Sequence, residues 1–259
     1  MDTVTSADGT AIAFDRYGEG PPVIMAVAAF NTRSATDPLA RALAPQFTVL
    51  NYDRRGRGDS GDTTPYAVDR EIDDIAALIT AAGGSAAVFG YSSGATLALR
   101  AAAAGLPITK LALYEPPFRT DDSHPGLPAD LPAKLAGLVA AGRRGDAVEL
   151  YQTQAVGIPE AVVAQLRHAP FRPGLEAIAH TLAYDAAIID DLSLPRDLLG
   201  TVTTPALVLS GENSPPFLHN AARAAAAALP SGRLAILPGQ THDIDPEATA
   251  PVMAEFLAT

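Results

Sequence analysis

Residues 86–94 read Ala-Ala-Val-Phe-Gly-Tyr-Ser-Ser-Gly, and this stretch decides the fold. Its apolar start predicts a short buried strand, and the alanine-rich residues 93–104 predict a helix. At the junction, Gly90-Tyr91-Ser92-Ser93-Gly94 fits the pattern Gly-x-Ser-x-Gly. A serine on such a sharp turn is held exposed, and the flanking glycines avoid collisions with neighbouring backbone. Ser92 is therefore the candidate nucleophile.

Apolar runs and amphipathic segments alternate on both sides of this turn. Alternation of strands and helices predicts an α/β fold with a mostly parallel central sheet flanked by helices. Around Asp8-Gly9, alternating apolar and polar residues predict an antiparallel hairpin at the sheet edge. The predicted strands are 3–5, 11–17, 23–28, 47–52, 86–89, 110–114, 206–210 and 233–237, and the predicted helices outside the region described next are 37–44, 69–82, 93–104, 218–229 and 246–257.

The strand pattern disappears from residue 116 to about residue 203. Helical segments separated by proline and glycine replace it, and the chain of 259 residues is long enough for one large domain with such an addition. We therefore predict a core domain formed by residues 1–115 and 204–259 and a helical insertion formed by residues 116–203. Within the insertion, the predicted helices are 131–141, 146–154, 159–168 and 175–189.

Composition excludes several classes of function. The net charge of -11 disfavours nucleic acids and anionic membranes as partners, and the absence of cysteine removes thiol nucleophiles, disulfides and thiolate metal sites. Histidines and acids show no spacing typical of metal ligands, so we predict no cofactor and no metal. The N-terminus is polar, and the longest apolar stretch, 23–30, is too short to cross a bilayer. We therefore predict a cytoplasmic protein without a membrane span.

Amino-acid usage also indicates the source of the gene. The excess of arginine over lysine and the alanine runs are typical of a GC-rich bacterial gene. A small molecule is the expected partner. The oligomeric state stays open, with a homodimer as one alternative.

A serine hydroxyl needs a general base, and the chain has five histidines. His242 follows the last predicted strand and a Pro-Gly turn, so its loop is expected over the carboxyl ends of the strands. The others, His124, His168, His180 and His219, lie in the insertion and its surroundings, where surface or core-filling roles are expected. His242 is the candidate general base.

The order of elements and three motifs together resemble the α/β-hydrolase superfamily across essentially the whole chain. The motifs are the Asp-Arg-Arg-Gly-Arg-Gly-Asp-Ser turn at residues 53–60, the turn at Ser92 and the loop at His242. The resemblance implies an α/β-hydrolase fold with a helical cap inserted after the strand ending at Tyr114. We interpret residues 53–60 as structural, with charged residues that tie loops together.

The third member of the expected triad departs from the commonest family pattern. Many relatives carry Asp after the strand that follows the insertion, but the matching position here is Ser214. Haloalkane dehalogenases and some lipases place the acid after the strand that follows the nucleophile helix, where this chain has Glu115. Glu115 is thus the first candidate, Glu212 the second and Asp243 the third. A purely structural role for Glu115, as a helix cap or an ion-pair partner, is the alternative.

The expected oxyanion site also departs from the family. Relatives often carry His-Gly after the third strand, whereas this chain has Val-Ala-Ala-Phe at residues 27–30. Because backbone amides bind the oxyanion, we expect the amides of Ala29 and Ser93 to serve, with Phe30 as the alternative to Ala29.

Because the turn carries a serine, Ser92, the resemblance to the α/β-hydrolase superfamily implies an acyl-enzyme intermediate. Hydrolysis of a small carboxylic ester or lactone in a mostly apolar pocket is therefore the leading hypothesis for function. A cofactor-free lyase or cyclase that uses His242 for proton transfer is the second hypothesis. A noncatalytic ligand-binding relative is the third, since a fold alone does not guarantee chemistry.

Overall fold

The computed structural model describes residues 1–121 and 126–259. Eight strands form one sheet in the order β1-β2-β4-β3-β5-β6-β7-β8, in which β1–β2 and β2–β4 are antiparallel and the remaining pairs are parallel. The predicted mostly parallel sheet with a hairpin at its edge is confirmed. The strands are β1 (Asp2–Thr5), β2 (Ala11–Tyr17), β3 (Pro22–Ala26), β4 (Thr48–Tyr52), β5 (Ala86–Tyr91), β6 (Ile108–Tyr114), β7 (Ala206–Gly211) and β8 (Gly232–Leu237).

Helices cover both faces of this sheet. The helices are α1 (Asp37–Leu43), α2 (Val68–Ala81), α3 (Ser93–Ala103), α4 (Leu131–Ala140), α5 (Arg144–Gln154), α6 (Glu160–Leu166), α7 (Arg172–Ala177), α8 (Leu182–Ile189), α9 (Arg196–Thr201), α10 (Pro216–Ala228) and α11 (Pro246–Ala258), with 3₁₀ turns at Arg33–Ala35 and Ala179–Thr181. In β3, Val23 and Met25 belong to the hydrophobic cluster that includes α1 and α11, whereas Ile24 and Ala26 belong to the cluster of α2, α3 and α10. Burial on both faces explains the continuous apolar runs of the central strands.

The helical insertion, α4 to α9, lies between β6 and β7 in the chain. Leu135, Leu182 and Leu199 belong to the same hydrophobic cluster as the sheet residues of one face. The insertion therefore packs on the core over a continuous apolar contact, and its treatment as a separate domain stays a prediction.

The prediction of one continuous helix over residues 175–189 is wrong. Helix α7 ends at Ala177, a 3₁₀ turn follows, and α8 begins at Leu182. The Thr181 hydroxyl donates to the Ile178 carbonyl at 2.8 Å, so a side chain competes with the backbone for that acceptor. Helix α9 was not predicted, because six residues are too few to show a helical period.

No helix in the described part of the chain is long and apolar enough to cross a bilayer. The longest helix, α2, has 14 residues, whereas a span needs about 20.

The approach of α3 to β3 generates a stability prediction at Gly94. A methyl group there would lie 2.3 Å from the Ala26 carbonyl oxygen and 2.6 Å from that of Val27. Because both atoms are backbone, we expect Gly94→Ala to lower the free energy of unfolding by at least ~2 kcal/mol. Urea denaturation followed by circular dichroism measures this change.

Gly137, in the interior of α4, provides the matched control, because an added methyl group meets nothing within 4 Å. We expect Gly137→Ala to raise the free energy of unfolding by about 0.5–1 kcal/mol. Equal stability of the two variants would contradict the proposed steric constraint at Gly94.

Candidate active site

Ser92 lies on the turn between β5 and α3 with φ 52° and ψ -115°, a conformation that non-glycine residues rarely adopt. Its amide donates to the Tyr114 carbonyl at 2.9 Å, which ties the turn to the end of the neighbouring strand β6. A side chain at Gly90 would meet Gly94 and Ala95 backbone atoms within 2.4–2.5 Å. The glycines on both sides of Ser92 are thus sterically required, as the motif predicted.

Glu115 follows β6 directly, with a fully buried side chain and a φ of 46°. Its Oε2 lies 2.5 Å from His242 Nδ1. Its Oε1 accepts hydrogen bonds from the Ser210 hydroxyl and the Gly211 amide, each at 2.8 Å. The carboxylate is therefore held on both oxygens, and one of them faces the imidazole.

Burial acts to raise the pKa of the Glu115 carboxyl. Hydrogen bonds from its neighbours, His242 foremost, and attraction to that imidazole act in the opposite direction and prevail, so its pKa lies below the ordinary value. The group is thus suited to remain ionised beside a histidine that gains a proton.

His242 lies on the loop after β8, and its side chain is 35% exposed. The Tyr91 ring lies 5.1 Å from the imidazole, and the Tyr114 hydroxyl donates to the Thr241 carbonyl at 2.7 Å, which fixes the loop. With Nδ1 facing Glu115, a proton on Nδ1 leaves Nε2 as the nitrogen with a free lone pair.

The other two candidate acids have different surroundings. The carboxylate of Glu212 is exposed, and it accepts a hydrogen bond from the Gly239 amide at 2.8 Å. Asp243 is exposed next to His242 in the chain. Of the three acids that the sequence left open, Glu115 is the one whose carboxylate contacts the His242 ring.

The candidate oxyanion residues line the same cavity as Ser92 and His242. Phe30 adopts a φ of 63°, whereas Ala29 does not have a positive φ. Among residues 1–121 and 126–259, no backbone or side-chain acceptor takes a hydrogen bond from the amides of Ala29 and Phe30. Ser93 is the first residue of α3, so its amide has no acceptor within the helix. The site thus contains amides that a negatively charged oxygen can use.

The cavity has a volume of about 350 Å³. Within the described part of the chain, its lining contains no Asp, Glu, Lys or Arg side chain. It is therefore a mostly apolar pocket, and its polar lining residues are Ser92, His242, Asn31, Ser93, Tyr91 and Tyr151. Its larger apolar side chains are Phe30, Tyr151, Val156, Ile189, Phe217 and Leu218.

The other histidines within residues 1–121 and 126–259 do not line this cavity. His219 contacts the Ser210 hydroxyl at 3.2 Å and the Glu212 carbonyl at 3.0 Å, behind Glu115. His180 lies 3.8 Å from Asp62. His168 is exposed. His124 lies outside the described residues.

Ser210 and Gly211 were missed by the sequence reasoning, although they hold the Glu115 carboxylate. Ser210 is a polar residue at the end of an otherwise apolar strand, and it is fully buried. A polar side chain at the carboxyl end of a central strand was the signal available for it.

In the part of the chain that the structure describes, no group of three or more His, Asp or Glu side chains is arranged to hold a metal ion.

Comparison with known proteins places the chain in a family. The model of the alpha/beta hydrolase family matches residues 23–254. The chain belongs to the alpha/beta hydrolase family. The solved structure of an alpha/beta hydrolase from Sphaerobacter thermophilus DSM 20745 is 53% identical to it, with a TM-score of 0.93 over 99% of this chain and 100% of that one.

Two curated hydrolases are more distant relatives. The 2-(acetamidomethylene)succinate hydrolase of Mesorhizobium japonicum is 28% identical over 93% of this chain and 89% of its own length. The N-formylmaleamate deformylase of Pseudomonas putida is 36% identical over 50% of this chain and 48% of its own length. Together with the family match, these relatives support a hydrolase.

The lowered pKa of Glu115 predicts a pH-dependent contribution to stability. A carboxyl whose pKa is depressed in the folded state stabilises it fully above the unfolded-state value, here 4.5, and loses this contribution as the pH falls through the folded value. We therefore expect wild type to exceed Glu115→Gln in free energy of unfolding by more at about pH 7 than at about pH 3.5.

Urea denaturation of both proteins across this range measures the difference, in which the titration of distant groups cancels. A stability difference that does not change with pH would contradict the depressed pKa.

Proposed function

We propose that the protein hydrolyses a small carboxylic ester or lactone through an acyl-enzyme at Ser92. The observation that carries the proposal is the 2.5 Å contact between the buried Glu115 carboxylate and the His242 imidazole. His242 in turn lines the same cavity as Ser92. A serine hydroxyl is activated by a base that an acid orients, and we assign these roles to Ser92, His242 and Glu115.

In the proposed reaction, Ser92 Oγ attacks the substrate carbonyl carbon while His242 Nε2 accepts the hydroxyl proton. Glu115 holds the Nδ1 proton and stabilises the imidazolium that forms. The tetrahedral oxyanion is bound by the amides of Ser93 and of Ala29 or Phe30. Its collapse expels the alcohol, which takes the proton from His242. Water then releases the acid by the same steps, and in a lactone the alcohol stays tethered to the acyl group.

Backbone strain supports this assignment of roles. Phe30, Ser92 and Glu115 are non-glycine residues with positive φ values of 63°, 52° and 46°. Each such conformation costs of order 1–3 kcal/mol and persists where the surroundings demand it, which is most often at functional sites. Of the five such residues in the described chain, these three occupy the proposed oxyanion, nucleophile and acid positions, and the other two follow α8.

The lining of the cavity favours an uncharged substrate. The two curated relatives are named for reactions on a succinate and a maleamate, which carry carboxylate groups. The cavity described here has no Lys or Arg side chain in its lining to pair with such a group. Burial of an unpaired carboxylate is strongly unfavourable, so we infer a neutral acyl group.

The proposed triad predicts a distinct result for each of its acids. We expect Ser92→Ala to lower kcat on p-nitrophenyl acetate by at least about 10³-fold and Glu115→Gln by about 10²–10⁴-fold. Glu212→Gln, which replaces an exposed carboxylate away from the imidazole, is the matched control and is expected to stay within about threefold of wild type.

Steady-state release of p-nitrophenolate measures these rates, and fluorophosphonate labelling of Ser92 reports the nucleophile directly. If Glu212→Gln were as inactive as Ser92→Ala, the role of orienting acid would belong to Glu212 instead of Glu115. No wild-type turnover on any ester would favour the lyase or binding hypotheses instead.

The neutral cavity predicts discrimination between two esters of nearly equal size. We expect kcat/KM for p-nitrophenyl hemisuccinate to be at least about tenfold below that for its uncharged methyl ester, which corresponds to about 1.4 kcal/mol. Both substrates have the same leaving group, so their ratio reports the acyl charge once the uncatalysed rate, which the neighbouring carboxylate of the hemisuccinate accelerates, is subtracted. Equal or faster hydrolysis of the hemisuccinate would overturn the neutral-substrate inference and leave ester hydrolysis standing.

A further inference from the structure

A fully buried carboxylate from the helical insertion lies behind the proposed oxyanion site. Asp185, on α8, accepts hydrogen bonds from Arg54 Nη1 at 2.8 Å, Arg57 Nη2 at 2.6 Å and the Ser93 hydroxyl at 2.8 Å. The three side chains that surround it are at most 1% exposed. One residue of the insertion thus contacts three groups of the core.

Arg57 connects Asp185 to the loop that carries one candidate amide. Its Nη1 donates to the Ala28 carbonyl at 2.6 Å and to the Asn31 carbonyl at 3.2 Å. The Ala28 carbonyl and the Ala29 amide belong to one planar trans peptide unit, so they point in opposite directions. By holding the Ala28 carbonyl, Arg57 therefore sets the direction of the Ala29 N–H.

Arg54 adds a second contact to the same loop, because its Nη1 donates to the Val27 carbonyl at 3.2 Å as well as to Asp185. Its other nitrogens form a two-pronged pair with Glu71, at 2.7 and 2.8 Å. Glu71 thus balances the charge of Arg54, and Asp185 is the carboxylate in the described chain that contacts Arg57.

The second candidate amide is connected to Asp185 through its own side chain. Ser93 follows the nucleophile and begins α3, and its hydroxyl donates to Asp185 Oδ1. Burial acts to raise the pKa of the Asp185 carboxyl, but attraction to Arg57 and Arg54 and their hydrogen bonds keep it below the ordinary value. The group that holds Ser93 is therefore an ionised carboxylate.

We propose that Asp185 is a positioning residue that orients both oxyanion amides, that of Ala29 through Arg57 and that of Ser93 through its hydroxyl. This inference rests on the proposed function. It gives the helical insertion a part in transition-state stabilisation, in addition to any part in the shape of the pocket.

The decisive variant is Asp185→Asn, which keeps the side-chain volume and removes the charge. We expect kcat on p-nitrophenyl acetate to fall by about 10–100-fold while KM changes by less than about threefold, because displaced oxyanion donors weaken transition-state binding alone. A loss confined to KM, or a kcat within about twofold of wild type, would overturn the inference.

Asp74→Asn is the matched control for the loss of a buried charge. Asp74 is 1% exposed and forms a two-pronged pair with Arg55 at 2.8 and 2.7 Å, away from the loop at residues 27–31. We expect both variants to lose thermal stability, whereas Asp74→Asn keeps its kcat. An equal loss of kcat in both would make the effect of Asp185 a general consequence of destabilisation.

A second test compares an oxoester with the thionoester that has the same acyl and leaving groups. The ratio of their rates would not change if Asp185 had a purely structural role. Sulfur accepts hydrogen bonds from amides poorly, so wild type should favour the oxoester through its oxyanion donors. We expect Asp185→Asn to reduce this preference by about the factor that it removes from kcat. An unchanged preference would overturn the inference even if kcat fell.

Ser93→Ala keeps the test decisive if Asp185→Asn does not fold, because it removes the hydroxyl contact with Asp185 and a long contact with Arg54 at 3.5 Å but leaves both charges in place. We expect it to lower kcat by about threefold to tenfold and to reduce the oxoester preference. Unchanged values in Ser93→Ala would then overturn the inference. If turnover depends on Ser92 and survives both variants, only this inference fails; if no turnover depends on Ser92, the proposed function fails with it.

Discussion

Helix α3 approaches the end of β3 so closely at Gly94 that no side chain fits between them. This contact brings the first turn of the helix, with the Ser93 amide, against the loop that carries Ala29 and Phe30. Ser92 has a positive φ in the turn between β5 and α3, where the chain reverses within one residue. The candidate nucleophile and the candidate oxyanion amides line one cavity, and the close approach at Gly94 is a constraint on which this arrangement depends.

The sheet order accounts for the rest of the site. Strands β3, β5, β6 and β7 are parallel neighbours, so their carboxyl ends meet at one edge, where ligand sites of such sheets form. The strain at Glu115 is maintained there by its amide, which donates to the Leu209 carbonyl at 3.0 Å, and by three contacts to its carboxylate. Packing and hydrogen bonding across the sheet thus stabilise conformations that the site needs and that the local chain disfavours.

Local patterns in the sequence were sufficient for the sheet, the Ser92 turn and the candidate status of His242. They left the acid open among Glu115, Glu212 and Asp243, since the contact between Glu115 and His242 joins residues 127 positions apart and has no local signal. The break before α8 and the partners of Asp185 had no local signal. Arg54 and Arg57 lie 131 and 128 residues from Asp185, and only the folded arrangement of α8 over the core brings them together.

Stability alone is a poor explanation for this buried cluster of charges. Desolvation of ion pairs such as Asp185 with Arg57 offsets most of their attraction, and apolar side chains of similar volume often stabilise a fold as well. What apolar side chains cannot do is donate hydrogen bonds to the carbonyls of Val27 and Ala28. The loop reads Val-Ala-Ala-Phe at residues 27–30, and its Val27 and Ala28 carbonyls accept hydrogen bonds from Arg54 and Arg57. A rigid guanidinium, itself held by a carboxylate, supplies these hydrogen bonds, and it explains why charged residues occupy the core here.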